Sequence, residues 1–201
     1  MSLSQGTAAV QFARTVIEQY VKHQRTPASP LGKSFHEKQG VFVTLHTFPD
    51  HELRGCIGIP LPVMSLEEAI VESAQSATRD PRFPPLEEQE LLSIVIEVTI
   101  LTTPEAIRVQ RPQDYPKHIV IGRDGLIVEH GFYKGLLLPQ VPVEQGWTTE
   151  EFLSQTCMKA GLLPDMWFEK NIKISKFSGQ IFTETRPNGP IKETRLDGSD
   201  A

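Results

Sequence analysis

No apolar run in the sequence approaches the roughly 18 residues that a membrane-crossing helix needs. The opening Met1-Ser2-Leu3-Ser4-Gln5-Gly6 lacks the basic start and apolar block of an export signal. Neither membrane insertion nor secretion is expected. Cysteine is scarce: two in 201 residues cannot staple a disulfide scaffold, and reduced thiols fit a cytoplasmic setting. An excess of positive charge is also missing, since 20 Lys and Arg against 25 Asp and Glu leave a net charge of −5. Affinity for phosphate backbones rests on clustered cations, so a nucleic-acid binder is disfavoured. The six histidines are scattered and there is no Cys-x-x-Cys, so no metal site is expected. Internal repeats, heptads and a Gly-rich phosphate loop are lacking as well. Gly122-Arg123-Asp124-Gly125 is too short and too hairpin-like to hold a dinucleotide, so no cofactor is expected.

What is present is a folding pattern. Ala9, Val10, Ala13, Val16, Ile17, Tyr20 and Val21 recur at steps of three and four, which predicts an amphipathic helix over residues 7–24. Residues 41–48 and 53–59 read as two strands joined at Pro49-Asp50-His51-Glu52, a β-hairpin. Ser65-Leu66-Glu67-Glu68 has the order of a capping box, in which the Ser and Glu side chains satisfy each other's backbone N–H groups, and opens a helix. The prolines of Asp80-Pro81-Arg82-Phe83-Pro84-Pro85 end it.

Residues 94–101 predict a buried strand, and 118–121, 126–130 and 133–138 predict three more. Thr148-Thr149-Glu150-Glu151 is a second capping box. A final strand is expected over 172–183, with a bulge near Lys176-Phe177 where its alternation breaks. From Thr185 the chain is rich in Pro, Gly and charge, and reads as a flexible tail following a domain over residues 1–184. Hairpin links outnumber long crossovers, so the expected class is α+β: a mixed, mainly antiparallel sheet covered by helices.

The segment Arg54-Gly55-Cys56-Ile57-Gly58 carries the densest chemistry. Strict alternation places Leu53, Gly55, Ile57 and Ile59 on one face and Arg54, Cys56 and Gly58 on the other. A guanidinium would then lie about 7 Å from a thiol along one face. A nearby cation favours the nucleophilic thiolate, and Gly58 leaves room beside it for a ligand or another backbone. The plain alternative makes Cys56 a small buried hydrophobe and Arg54 an ion-pair partner.

These residues carry a resemblance. Leu53-Arg54-Gly55-Cys56-Ile57-Gly58 resembles the signature hexapeptide of the AMMECR family. Gly40 through Leu45, Asp80-Pro81-Arg82-Phe83, Gly135 through Val141, and the Trp147 to Gly161 pattern agree with it in order, over residues 7–184. The resemblance implies two unequal lobes, with the signature lining a cleft between them, but supplies no reaction. It implies association with a Memo-type protein and a radical S-adenosylmethionine enzyme, and hence a helper or substrate-handling role.

The candidate site is therefore Cys56 as nucleophile or soft ligand and Arg54 as anion binder, bordered by Gly55, Gly58, Asp80, Arg82, Gln140 and Glu144. Its ligand would be a small molecule or a modified residue. The rival is a non-catalytic interaction module. Asp80 and Arg82 either border the site or form a self-contained pair that stops the helix. Glu97, inside an apolar strand, is expected to pair with an Arg. With residues 49–52 as the loop, Leu45 falls opposite Cys56 and His46 opposite Gly55, so a Cys–His dyad is not predicted. Cys157 is expected to pack in a helix core. A basic patch of Arg54, Arg79, Arg82 and Lys117 would be the minimum for nucleic acid.

Overall fold

The first helix starts where a cap allows it. In the computed structural model of the chain, which describes residues 1–195, the Ser2 hydroxyl accepts from the Gln5 N–H and the Gln5 side chain reciprocates. Helix α1 is therefore Leu3–His23, beginning before the Thr7 start that apolar spacing alone suggests. It is followed by β1 (Val41–Thr47), β2 (Leu53–Ile59), α2 (Leu66–Ala77), β3 (Ile94–Leu101), β4 (Glu105–Ala106) and β5 (Gly125–His130). Then come β6 (Tyr133–Leu137), α3 (Gln140–Gln145), α4 (Thr149–Lys159), β7 (Lys173–Phe177), β8 (Gly179–Glu184) and β9 (Ile191–Arg195). The pairings of β1 with β2 and β3, of β5 with β6 and β7, of β4 with β7 and of β8 with β9 are all antiparallel. The α+β class expected from the sequence is what forms.

Two compact units divide the chain: Met1–Leu101 together with the segment from Gln180 onward, and Thr102–Gly179. The first holds a five-stranded sheet in the order β2-β1-β3-β8-β9. Val41, Val43 and Leu45 of β1 and Ile94, Ile96, Val98 and Ile100 of β3 are buried in one core with Val10, Phe12, Val16 and Ile17 of α1 and Leu66, Ile70 and Ala74 of α2. At about 1.5–3 kcal/mol for each large apolar side chain removed from water, this face holds the helices on the sheet. The odd-numbered β1 and even-numbered β3 positions form that face, so Phe42, Thr44 and His46, with Glu97 and Thr99, belong to the opposite one.

A buried ion pair ties this unit together. Arg14 of α1 grips Glu184 of β8 through Nε to Oε1 at 2.6 Å and Nη2 to Oε2 at 2.5 Å. It also donates to the carbonyls of Leu91 and Ile94, while Glu184 accepts from the Ile96 N–H. Every charged atom has a partner, which is the condition for burying a pair at acceptable cost.

The second unit has a sheet in the order β4-β7-β5-β6. Phe152, Leu153 and Cys157 of α4 are buried in one core with Leu126 and Val128 of β5 and Ile174 of β7. Thr148 caps α4 through the expected capping box. Gly135 lets this helix approach, because a Cβ there would lie 2.4 Å from the Ala160 backbone nitrogen.

Several expectations are corrected. Residues 118–121 are not a strand: a 3₁₀ turn spans Pro112–His118, and the buried Asp124 carboxylate accepts from the Val120 N–H and from Arg123. That side-chain bonding competes with a hairpin turn at Asp124-Gly125. The single strand expected over 172–183 is two strands in different sheets, and the break in alternation marks the crossing at Ser178 rather than a bulge. There Ser178 and Thr102 exchange two hydrogen bonds. The expected tail from Thr185 also begins too early, since Ile191–Arg195 pairs with β8 as β9. Residues 196–201 lie outside the described part of the chain.

Candidate functional site

Among the described residues the signature strand β2 is the edge of the first unit's sheet, paired with β1 on one side. Its register departs from simple alternation. Thr44 lies opposite Cys56 and Leu45 opposite Gly55, but His46 lies opposite Leu53, which leaves Arg54 as the extra residue of a β-bulge. A bulge re-aims the side chain that it carries. The Arg54 guanidinium is accordingly committed to Glu90, with Nε to Oε1 at 2.7 Å and Nη2 to Oε2 at 3.0 Å. Leu53, expected on the core face, is exposed.

An edge strand presents backbone groups that its sheet cannot satisfy. At Cys56 these go to Asp80 and Arg82. The Cys56 N–H donates to Asp80 Oδ2 at 2.9 Å, and Arg82 Nη2 donates to the Cys56 carbonyl at 3.1 Å. Arg82 also donates to Asp80 from its own N–H, Nε and Nη2. Hydrogen bonding from Arg82 outweighs burial and holds the Asp80 carboxyl far below the ordinary carboxylate range, with the Cys56 and Arg82 amides assisting. The pair, expected either to border the site or to stop α2, therefore also clamps the peptide of Cys56.

The thiol is not the activated one that the sequence suggested. Burial pushes Cys56 above its ordinary value, outweighing the Thr44 hydroxyl, which donates to its Sγ at 3.3 Å, and the charge of Arg82. Glu97 and Asp80 push in the same upward direction. The cation that acts on the sulfur is Arg82, not Arg54 as alternation had predicted. Its hydrogen-bonding neighbour is Thr44, not His46, whose Nδ1 is buried without a partner among the described residues.

Both glycines of the signature are filled by the protein itself. A Cβ at Gly55 would lie 2.4 Å from the Ala77 carbonyl oxygen at the end of α2, and one at Gly58 would lie 2.3 Å from the Phe42 ring. They admit a helix end and a neighbouring side chain rather than a ligand.

Arg54 and Arg82 share a third partner. Their Cζ atoms lie 6.0 and 5.7 Å from the centre of the Phe83 ring, within reach of its electron-rich face. In each guanidinium Nε and Nη2 are engaged, while Nη1 has no acceptor among the described residues. Burial opposes ionisation of Glu90, but Arg54 and the Glu87 N–H more than offset it and leave its carboxyl below the ordinary range. The result is two fixed cations, each with one nitrogen, Nη1, to spare.

Arg54, Gly55, Cys56, Gly58, Asp80 and Arg82 thus come together in the first unit. Gln140 and Glu144 belong to the second, where they are exposed on α3 and not on the loop expected for them. Glu97 pairs with no Arg among the described residues; Thr183 donates to its Oε2 at 3.0 Å. Cys157 is buried in the α4 core as expected, and burial pushes its thiol up to about 11. Among the four residues of the supposed basic patch, Arg54, Arg82 and Lys117 are each paired with a carboxylate, and Arg79 stacks on Tyr20. Glu90 and Thr44 were missed from sequence. Thr44 follows from alternation once the bulge is placed, whereas nothing in the acidic run Glu87-Glu88-Gln89-Glu90 distinguishes the Glu that meets Arg54.

The family model for AMMECR1 matches residues 10–182 of this chain. The chain belongs to the AMMECR1 family. A relative from Methanocaldococcus jannaschii is 55% identical over 98% of each chain. One from Methanocella arvoryzae is 53% identical over 98% of this chain and 99% of its own. The crystal structure of an uncharacterised protein from Pyrococcus horikoshii superposes with a TM-score of 0.80 at 47% identity, covering 96% of this chain and 97% of that one. The AMMECR1 fold is therefore common to this chain and its archaeal relatives. No helix among the described residues is long and apolar enough to cross a membrane.

Proposed function

We propose that this AMMECR1 protein binds a small anionic molecule, or an anionic modified residue, on the bulged edge strand. Arg54 and Arg82 would receive it, and Cys56 would stand beside it as a neutral thiol. The observation that supports this is the pair of guanidinium groups over Phe83, each fixed through Nε and Nη2 with Nη1 left to donate. Fixed guanidinium N–H groups suit an oxyanion because charge-assisted N–H···O bonds are the strong ones, and each Arg can give one from Nη1. The raised thiol favours binding over nucleophilic attack at neutral pH. The test is calorimetric titration of the purified chain with inorganic phosphate, together with native mass spectrometry of any molecule that copurifies. Loss of binding in Arg54→Ala, with the fold retained, is the expected result. Binding undiminished in both Arg54→Ala and Arg82→Ala would remove the site.

A second reading, a non-catalytic module that docks on a Memo-type protein or a radical S-adenosylmethionine enzyme, is favoured by one feature. Phe132 is fully exposed at the tip of the β5–β6 hairpin, next to the exposed Tyr133. Aromatic side chains in such positions commonly anchor interfaces. Pull-down of either partner by wild type but not by Phe132→Ser would support it.

A further inference from the structure

Glu97 is the odd residue of β3. It lies in a strand whose other buried positions are apolar, with a hydroxyl of Thr183 as hydrogen-bond donor and no cation within pairing distance among the described residues. A half-buried carboxylate without a counter-charge is costly unless something else provides it.

The space in front of it is a cavity of about 300 Å³, lined by His51, Glu97, Thr183, Thr185, Lys192 and Thr194 together with Ile181 and Glu184. Every lining residue belongs to the first unit. Glu184 is already taken by Arg14, which leaves Glu97 as the carboxylate able to receive a ligand. Strand pairing explains the convergence. Thr183 lies opposite Lys192 and Ile181 opposite Thr194, so the three polar side chains share one face of β8 and β9. The cavity thus offers one carboxylate and one ammonium, with threonine hydroxyls between them. At this volume, the lower end of the range for ligand pockets, the complement is a small zwitterion.

We propose that the cavity binds a free α-amino acid, its ammonium group on Glu97 and its carboxylate toward Lys192. The cavity shares no ligand-binding residue with the anion site at Arg54 and Arg82, although Glu97 and Cys56 are both strand partners of Thr44.

The experiment is an NMR titration of the ¹⁵N-labelled full chain with L-alanine and L-lysine, and in parallel with cadaverine, acetate and Nα-acetyl-L-lysine amide. The last of these presents a lysine side chain without a free α-amino acid group. Saturable shifts at Glu97, Thr183 and Lys192 with the free amino acids, and not with the other three probes, are expected. Glu97→Gln, which keeps the shape of the side chain, and Lys192→Ala, at an exposed position, should each weaken binding by about tenfold or more, as loss of a charge-assisted contact implies. Absence of saturable shifts with either amino acid overturns the proposal. So does undiminished binding in both variants, or equal binding of cadaverine or of the blocked lysine.

Discussion

Replacing Asp80 by Ala tests the clamp on the signature strand. The substitution strips the acceptor from two backbone donors, the N–H groups of Cys56 and Arg82, and frees the Arg82 side chain. Hydrogen bonds to a charged group are worth about 1.5–3 kcal/mol each. The Arg82 side chain is 54% exposed and can rehydrate, so the ion pair itself adds only about 0–1 kcal/mol. With water partly replacing the lost acceptors, the expected destabilisation is about 3 kcal/mol, the low end of two such bonds. For a chain of this size that corresponds to a fall in Tm of roughly 6–12 °C.

Both tryptophans, Trp147 and Trp167, lie in the second unit, so tryptophan fluorescence would report the wrong half. The assay is hydrogen exchange of β2 amides, with far-ultraviolet circular dichroism in urea. Asp80→Asn, which keeps one carbonyl acceptor, should fall between wild type and Ala. The sign with pH follows from the direction of the shift. The carboxyl is held below its ordinary value in the folded state, so its contribution is complete above about pH 4, the unfolded value, and is lost as pH falls below that. The gap between wild type and Asp80→Asn should therefore narrow in acid. A loss under about 1 kcal/mol at pH 7, with the Cys56 amide exchanging as slowly as before, would refute the clamp.

Three further outcomes are expected. Arg14→Ala or Glu184→Ala leaves one buried charge unpaired and should cost about 3–5 kcal/mol, while the double variant should be little worse than either single one, as a double-mutant cycle in urea would show. Iodoacetamide should label Cys56 more slowly than a cysteine in an unfolded peptide and Cys157 more slowly still, with Thr44→Val slowing Cys56 further; labelling of Cys56 faster than the peptide would contradict the raised thiol. Gly55→Ala should destabilise by about 1–3 kcal/mol, because its Cβ would meet the Ala77 carbonyl, which cannot rotate away; an unchanged urea midpoint would show that α2 can shift.

Elements whose signals are local were legible. The capping boxes at Ser65 and Thr148 fix helix starts through side chains only three residues apart, and both form as the sequence predicts. The capping box at Ser2 uses Gln rather than Glu and starts the helix ahead of its apolar spacing. The division of residues 172–183 between two sheets was not legible, because a strand's own sequence says which face is apolar but not which sheet receives it. The same limit applies to Ile191–Arg195, whose place as a strand depends on β8 being there to pair with.

The candidate site shows where alternation stops being informative. Strict period two placed Arg54 beside Cys56, yet one unpaired residue in the hairpin sent the guanidinium to Glu90, 36 positions along the chain. Asp80 and Arg82 were flagged for their charges and for the prolines beside them. Their task could not be read, because nothing in Leu53–Ile59 marks β2 as an edge. It carries no Lys or Pro of the kind that usually blunts one. The blunting is supplied from outside, by a carboxylate and a guanidinium that take the N–H and the carbonyl of Cys56. A partner strand could not pair with β2 there without displacing them. The same two side chains that protect the edge also fix the cation beside the thiol, so an Arg82 variant would expose the edge and remove one cation of the proposed anion site together. Arg54 variants should separate the two roles, since Arg54 takes no part in that clamp.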